Sequence, residues 1–212
     1  MIQVESVTYR YPQSDVPALE DFSARFRRGE INAIRGRNGC GKTTLTKLLV
    51  GVLRPASGYI TIDGDGIAGM DLFEIGKKAG YVFQNPNRQL FCDTVFNEVA
   101  FGLRNAGFNE AETERVTAVY LERFGLERYS GVYPGKLSFG EKQRLALAAV
   151  LALGTSFVVL DEPTSGLDVS RRAELADILL RLKQEHGCGV IFASHDTGFI
   201  ARCADRELVI ER

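Results

Sequence analysis

The sequence has 212 residues, of which 45% are hydrophobic and 25% charged, and its formal net charge is −1. This composition is typical of a folded protein with a sizeable core, and the small net charge gives no electrostatic reason to expect nucleic-acid binding. No apolar run approaches the roughly 20 residues that span a bilayer, and the strand-like, charged start does not resemble a signal peptide. Four cysteines without metal-ligand spacing predict reduced thiols in the cytosol.

The first part of the chain is predicted to be rich in β-structure. Short alternating runs bounded by turn residues predict strands over 2–11, 18–26, 29–35 and 59–63, and an apolar run predicts another over 80–83. Helical spacing of apolar residues predicts a helix over 45–53.

After Asn85 and Pro86 the pattern becomes helical. Helices are predicted over 94–106, 110–124 and 145–153, and Asn109 with Glu112 forms a capping-box pattern before the second. Strands over 157–160, 189–193 and 207–210 follow, with a helix over 170–186. Strands that alternate with helices predict an α/β fold with a parallel sheet, into which the helical segment from about Pro86 to Leu151 is inserted.

The run from Gly36 to Thr43 matches the phosphate-binding pattern G-x-x-x-x-G-K-[ST]. Its glycines, Gly36, Gly39 and Gly41, allow the backbone to wrap closely around an anion, because they lack a Cβ and tolerate positive φ. Lys42 is predicted to reach the β- and γ-phosphates of a nucleotide, and the Thr43 hydroxyl to bind Mg²⁺. The predicted strand before this loop and the helix after it supply the required context for a P-loop nucleotide site.

A second motif consists of two acidic residues at the end of a predicted buried strand. Asp161 follows four apolar residues and is predicted to hold Mg²⁺, usually through water. Glu162 comes next and is a candidate for the base that activates or orients the attacking water.

The segment from Leu137 to Glu141 supports two interpretations. Ser138 and Glu141 fit a capping box at the start of a helix. Gly140 lies in the first turn of that helix, where it costs about 1 kcal/mol relative to alanine. A close approach by a phosphate to the unpaired N–H groups of the helix would explain that glycine, and both interpretations can hold together.

In the order of these motifs the whole chain resembles the ATP-binding cassette (ABC) ATPases. Gln84 corresponds to the Q-loop, Leu137–Glu141 to the family signature, Ser165–Asp168 to the D-loop, His195 to the switch histidine and Tyr11 to the aromatic residue that stacks on adenine. The resemblance implies catalytic roles for Glu162, His195, Gln84 and Lys42, and Mg²⁺ binding by Thr43, Gln84 and Asp161. It implies ATP contacts from Tyr11, Gly36, Asn38, Gly39, Cys40, Gly41, Lys42, Thr43, Thr44, Ser138, Gly140 and Asp168.

The resemblance also implies a single ABC ATPase domain over 1–212. Its P-loop core, with an N-terminal antiparallel β subdomain, would cover about 1–85 and 152–212, and an α-helical subdomain about 86–151. The chain departs from the family pattern at Phe139 and Glu141 in the signature, and at Cys40, where a small residue such as serine is usual.

Several of these residues have simpler explanations that stay open. Tyr11 could be a strand-end aromatic of the core, Asp168 the N-cap of the next helix, and His195 a satisfied strand-end histidine. For Cys40 we expect an accessible, reactive thiol, because Lys42 and a helix N-terminus favour the thiolate. The alternative is a thiol that points into the protein and is inert.

The family resemblance implies a head-to-tail dimer, in which Ser138 and Gly140 of one cassette meet the γ-phosphate held by the other. The stretch over 84–103, with Gln89, resembles the ATPase subunits of energy-coupling-factor (ECF) transporters, which import vitamins and transition-metal ions in prokaryotes. The implied partners are a second ABC ATPase subunit, of the same or a related chain, an integral membrane coupling subunit and a substrate-binding membrane subunit. The implied location is the cytoplasmic face of the cell membrane.

In that family the helical lobe receives coupling helices, for which the candidate contacts are Leu90, Phe91, Val95 and Phe96; packing inside the lobe is the alternative. Another transporter class, or an ABC protein of DNA repair or translation, remains open as a function. Many members carry a C-terminal segment that helps two cassettes associate. This sequence stops at Arg212, which leaves the stability of a dimer of isolated subunits open.

Overall fold

The computed structural model describes residues 1–210, so Arg212 lies outside the described part. Two compact units are present: the first comprises Met1–Tyr81 together with the chain from Ser156 onward, and the second is Val82–Thr155. The second unit is therefore an insertion within the sequence of the first.

The bounds of the regular elements are as follows. The strands are β1 (Ile2–Tyr9), β2 (Leu19–Phe26), β3 (Ile31–Arg35), β4 (Ser57–Ile62), β5 (Asp65–Gly66), β6 (Ala79–Val82), β7 (Phe157–Asp161), β8 (Gly189–Ala193) and β9 (Arg206–Val209). The helices are α1 (Lys42–Leu49), α2 (Leu72–Lys78), α3 (Val95–Asn105), α4 (Glu110–Arg123), α5 (Phe139–Leu151), α6 (Val169–His186) and α7 (Thr197–Cys203). Short 3₁₀ turns cover Ile67–Gly69, Pro86–Arg88, Glu127–Tyr129 and Pro134–Lys136.

The strands form two sheets. The order β2-β1-β4-β5 gives a four-stranded antiparallel sheet, with Ile2 of β1 opposite Phe26 of β2 and Ile62 of β4. The order β6-β7-β8-β3-β9 gives a five-stranded sheet, in which β7 and β8, β8 and β3, and β3 and β9 pair in parallel. The predicted α/β fold class with a parallel sheet is confirmed.

The burial of the central strands explains their sequences. Every residue of β7 and β8 is buried, as expected for parallel strands that are covered on both faces. Helix α1 packs against both strands, and α6 packs against β8 and β3. Because parallel strands carry their carboxyl ends to one edge, the loops that follow β3, β7 and β8 meet there.

The second unit is built on α3, α4 and α5, which pack on one another. Each helix begins at a side-chain cap, since Thr94, Asn109 and Ser138 accept hydrogen bonds from Asn97, Glu112 and Glu141 backbone N–H groups. None of the helices within residues 1–210 is both long enough and apolar enough to cross a membrane.

Candidate functional site

The phosphate-binding loop connects β3 to α1, and its glycines have two different functions. Gly39 and Gly41 have φ values of +83° and +108°, which only glycine adopts readily. Gly36 has no positive φ, contrary to the prediction for it; a Cβ there would overlap Cys40 Sγ and lie 2.7 Å from the Ile210 carbonyl oxygen. Gly36 is therefore required by space and Gly39 by backbone conformation. Gly41 is required by both, because a Cβ there would also lie 2.6 Å from the Ala18 carbonyl oxygen.

Lys42 is the first residue of α1, and its side chain folds back over the phosphate-binding loop. Its side chain is almost buried, and Nζ donates hydrogen bonds to the carbonyl oxygens of Gly36 (2.9 Å) and Arg37 (3.2 Å). The same nitrogen lies 3.8 Å from Glu162 Oε1. The ammonium group is thus held beside the N-terminus of α1, where backbone N–H groups and the helix dipole also attract an anion.

Asp161 and Thr43 come together although 118 residues separate them. The Thr43 hydroxyl donates a hydrogen bond to Asp161 Oδ1 at 3.0 Å. Burial raises the pKa of Asp161 above its usual value, while the hydrogen bonds from Thr43 and from the Tyr81 hydroxyl act in the opposite direction. A hydroxyl and a carboxylate within hydrogen-bond distance are the hard oxygen donors that Mg²⁺ prefers, so this pair fits the metal.

Glu162 and His195 form the second pair. Glu162 Oε2 lies 3.0 Å from His195 Nδ1. An ionised carboxylate only accepts, so Nδ1 is the ring nitrogen that donates in this contact. Glu162 has φ +45°, a conformation uncommon for a non-glycine residue, and its N–H donates to the Ala193 carbonyl oxygen at 2.9 Å. This hydrogen bond holds the backbone of Glu162 against the end of β8.

A cleft of about 430 Å³ lies in front of these residues. This volume is within the range of small-molecule sites. Tyr11 lines the cleft; its hydroxyl is 3.2 Å from Thr44 Oγ1, and its ring meets that of Tyr9 edge-on with centroids 5.0 Å apart. The other predicted residues that line it are Asn38, Gly39, Gly41, Lys42, Thr43, Thr44 and Glu162. Tyr11 is 37% exposed, so it is not the core aromatic of the alternative interpretation.

A comparison with protein-family models matches residues 19–165, more than half of the chain, to the ABC transporter family. The chain belongs to the ABC transporter ATPases. It is 42% identical, over 99% of its length, to the energy-coupling factor transporter ATP-binding protein EcfA of Methanothermobacter thermautotrophicus. It spans 68% of that relative, and 34% and 36% of two longer relatives from Methanosarcina acetivorans and Vibrio vulnificus.

The solved structures that are similar to this ABC ATPase include the following two. The cbiO1 protein of Clostridium perfringens, part of the ABC transporter complex cbiONQ, has a TM-score of 0.90 and 34% identity. That match covers 99% of this chain and 84% of the other. A dimeric ATP-binding cassette in a post-hydrolysis state, bound to ADP and Pi, has a TM-score of 0.86 and 26% identity, and the match covers 100% of this chain and 94% of the other.

Cys40 departs from the prediction for its side chain. It is only 4% exposed, it belongs to the hydrophobic core cluster, and with Gly36 it is not among the described loop residues that line the cleft. The expectation of an accessible thiol is wrong, because the side chain points into the protein, as in the alternative. Any nucleotide contact from Cys40 or Gly36 has to come from the backbone.

Asp168 is the N-cap of α6, since its Oδ1 accepts from the Arg171 N–H at 2.9 Å. This is the simpler of the two roles considered, and it is compatible with the other. The ring of His195 is largely exposed just beyond the end of β8, and its polar contact is with Glu162. His195 thus lies just beyond the end of β8 with a polar partner, as the simpler interpretation also expected, and its role toward ATP stays a prediction.

The remaining candidate residues lie in the second unit of this ABC ATPase. Ser138 caps α5 in a capping box with Glu141, as one interpretation predicted, and Gly140 follows in the first turn. Gln84 lies two residues beyond the end of β6. Their roles toward ATP stay predictions. Among the candidate contacts for a membrane subunit, Phe91 is 66% exposed, but Val95 is fully buried in the α3 packing, so the prediction for Val95 is wrong.

Residues that the motifs did not indicate also support the site. Arg172 and Asp196 form an ion pair at 2.8 Å beside the loops after β7 and β8, and the Thr164 and Ser194 hydroxyls lie 3.3 Å apart beneath them. Tyr81 of β6 contacts Asp161. No local pattern could have identified these residues, because each contact joins positions distant in the sequence.

Proposed function

We propose that this chain binds ATP with Mg²⁺ and hydrolyses it to drive an ABC transporter. The observation that carries the proposal is the position of Glu162, whose carboxylate lies between the Lys42 ammonium and the His195 ring. A carboxylate beside a phosphate-binding loop, oriented by a histidine, is suited to activate water for attack on a phosphoryl group.

In this mechanism the chain supplies positioning and charge. The N–H groups around Gly39 and Gly41 and the ammonium of Lys42 bind the phosphates, while Tyr11 provides a surface for the base. Thr43 and Asp161 would hold Mg²⁺, which when bound neutralises part of the phosphate charge.

The proton steps are assigned to Glu162. Oε2 is engaged by His195 Nδ1, which leaves Oε1 to accept a hydrogen bond and then a proton from the attacking water. The hydrogen bond from His195 fixes the orientation of the carboxylate. Lys42 Nζ lies 3.8 Å from Oε1, on the side of the carboxylate that faces the phosphate-binding loop.

A substitution at Glu162 tests the hydrolysis. Glu162→Gln retains size and hydrogen bonding but cannot take a proton, so we expect turnover to fall by at least about 10²-fold with ATP binding preserved. Phosphate release and binding of a fluorescent ATP analogue measure the two quantities. Glu207→Gln, which removes an exposed carboxylate paired with Arg35, is the control and should leave turnover unchanged. Near-wild-type turnover of Glu162→Gln would remove Glu162 from this role.

We further propose that the transporter is of the ECF class, an importer of vitamins or transition-metal ions, and that a second ABC ATPase subunit completes the motor. The resemblance over 84–103 and the 42% identity to an ECF ATP-binding protein support this. The chain would act at the cytoplasmic face of the membrane, attached to an integral membrane coupling subunit and a substrate-binding membrane subunit.

The helical unit offers a surface for the coupling subunit. Phe91 and Phe101 are 66% and 44% exposed, and their rings meet edge-on with centroids 4.9 Å apart. Leu90 and Phe96, which are close to them in the sequence, are half-buried. An exposed aromatic pair of this kind suits contact with an apolar helix end. Purification of the native complex tests the assignment: small integral membrane partners support it, whereas nucleic acid or ribosomes would indicate the DNA-repair or translation class instead.

A further inference from the structure

The pair of Glu162 and His195 depends on two separate loops. Glu162 follows β7 and His195 follows β8, and the His195 side chain is 66% exposed. An exposed ring is not held in place by packing, so its distance from Glu162 depends on what fixes the two loops relative to each other.

Arg172, in the first turns of α6, contacts both loops. Its Nε donates to the carbonyl oxygen of Leu167, in the loop after β7, at 3.0 Å. Its Nη1 donates to Asp196 Oδ2, in the loop after β8, at 2.8 Å. The planar guanidinium can make these two bonds at once in fixed directions, which a lysine cannot do.

Asp196 transmits this contact to the residue before it in the sequence, His195. Its other carboxylate oxygen accepts from the Phe199 N–H at 3.0 Å and so caps α7, and its own N–H donates to Ser194 Oγ at 3.1 Å. Ser194 Oγ in turn lies 3.3 Å from the buried Thr164 hydroxyl. The backbone on both sides of His195 is therefore held. Among these contacts of the described residues, the Arg172–Asp196 pair is the only ion pair.

We propose that Arg172 is a positioning residue for hydrolysis, which holds the loops of Glu162 and His195 at the distance that their hydrogen bond requires. Arg172 is not among the residues that line the cleft, so it acts through Leu167 and Asp196 rather than on the nucleotide. This inference rests on the proposed ATPase function.

Kinetics give the first test. Arg172→Ala should lower kcat by on the order of tenfold to a hundredfold, as misplacement of catalytic groups does, with KM for ATP nearly unchanged. Arg172→Lys, which can keep one of the two contacts, should fall between. Arg202→Ala is the matched control, because it breaks an exposed ion pair of similar length (3.0 Å) between α7 and Asp177 of α6 without touching either loop. Its kcat should match that of the wild type.

A double-mutant cycle separates positioning from simple loss of charge. Asp196→Asn can keep the α7 cap through its amide oxygen but weakens the contact with Arg172. If the two residues act as one contact, the double variant should lose no more activity than Arg172→Ala alone. Additive losses, or an equal loss in Arg202→Ala, would overturn the proposal.

A spectroscopic readout makes the inference independent of activity. The sequence contains two histidines, so ¹⁵N-labelled imidazole signals are few, and His186→Gln assigns the signals of His195. Arg172→Ala should change the Nδ1 signal of His195, and Arg202→Ala should not. A wild type that does not hydrolyse ATP would refute the proposed function, and the imidazole signals would still decide the positioning role. An unchanged His195 signal in Arg172→Ala would overturn it.

Discussion

The glycines of the phosphate-binding loop show how residues of one type serve different physical needs. Gly39 has φ +83° with no atom within 4 Å of the place a Cβ would take, so a side chain there meets only backbone strain. At Gly36 the backbone is ordinary and the neighbouring atoms leave no room. The sequence motif specifies glycine at position 36 but not at position 39. It also contains no information on which distant residue packs against the loop.

This difference predicts that substitutions at Gly36 and at Gly39 combine differently with a substitution at Cys40 in their effect on the free energy of unfolding. Gly36→Ala should lower the free energy of unfolding by about 1–3 kcal/mol through overpacking. Gly39→Ala should lower it by about 1–2 kcal/mol through the left-handed backbone conformation. Cys40→Ala removes the sulfur that a Cβ on Gly36 would overlap, so it should recover part of the first loss and none of the second.

Urea unfolding of the single and double variants, without nucleotide, measures these couplings. The free energies should be strictly additive for Gly39 with Cys40 and clearly non-additive for Gly36 with Cys40. Additivity in both cycles would show that the loop relaxes away from Cys40, and that space at Gly36 is not what requires the glycine.

At the scale of elements, α5 begins with a complete capping box. The Ser138 N–H donates to Glu141 Oε2 at 2.8 Å, and the Glu141 N–H donates to Ser138 Oγ at 3.4 Å. The pKa of Glu141 is lowered to about 2, first by a hydrogen bond from the Tyr129 hydroxyl and then by the hydroxyl and N–H of Ser138. Ionised Glu141 therefore contributes to the stability of this helix N-terminus.

The sign of the pH dependence follows from that shift. Because the folded-state pKa lies below the ordinary glutamate value of 4.5, the contribution is fully present above pH 4.5 and is lost as the pH falls toward about 2. Glutamine keeps the capping geometry but has no charge to lose. Glu141→Gln should therefore flatten the decline of stability on acidification below pH 4.5 and cost little at neutral pH.

Urea unfolding over a pH series checks this. Glu112→Gln, at the third position of α4 after its cap Asn109, controls for removal of a carboxylate near a helix start. If Glu141→Gln and the control decline with pH as steeply as the wild type, the Glu141 carboxylate is not what stabilises the start of α5.

The elements that sequence patterns predicted are those with long or strongly apolar patterns. Strands β7 and β8 were predicted within one residue, because both are buried runs between turn residues. Helices α2 and α7 were not predicted, because each has seven residues and too few apolar positions to show a period. A local signal did exist for α2: Asp71 and Glu74 form a capping box.

At the scale of the whole molecule, the sequence motifs predict the components of the site better than the contacts between them. Thr43 and Asp161 are each recognisable within a few neighbouring residues, and the fold brings them together. The Arg172–Asp196 contact and the buried Cys40 depend on tertiary packing alone, which leaves no periodic or spaced pattern in the sequence. Both lie outside what motifs can predict.

The distribution of the candidate residues leads to the last prediction. Lys42 and Glu162 lie in the first unit, whereas Ser138 lies in the second, exposed at the start of α5. If Ser138 acts on ATP held by another subunit, Ser138→Arg should abolish hydrolysis and leave the ATP affinity of the monomer unchanged. Lys42→Ala should instead abolish ATP binding, because it removes the cation of the phosphate-binding loop.

Mixing the two inactive variants tests this directly. A mixed dimer would pair the intact phosphate-binding loop of the Ser138→Arg chain with the intact Ser138 of the Lys42→Ala chain, so phosphate release should reappear on mixing. Because Ser138→Arg also removes a helix cap worth about 1 kcal/mol, Ser138→Asp is the matched variant. Aspartate caps the helix but repels a phosphate, so it should be equally inactive alone and equally restored by Lys42→Ala. No recovery with either variant, or a loss of monomer ATP affinity as large as that of Lys42→Ala, would place Ser138 outside a shared site.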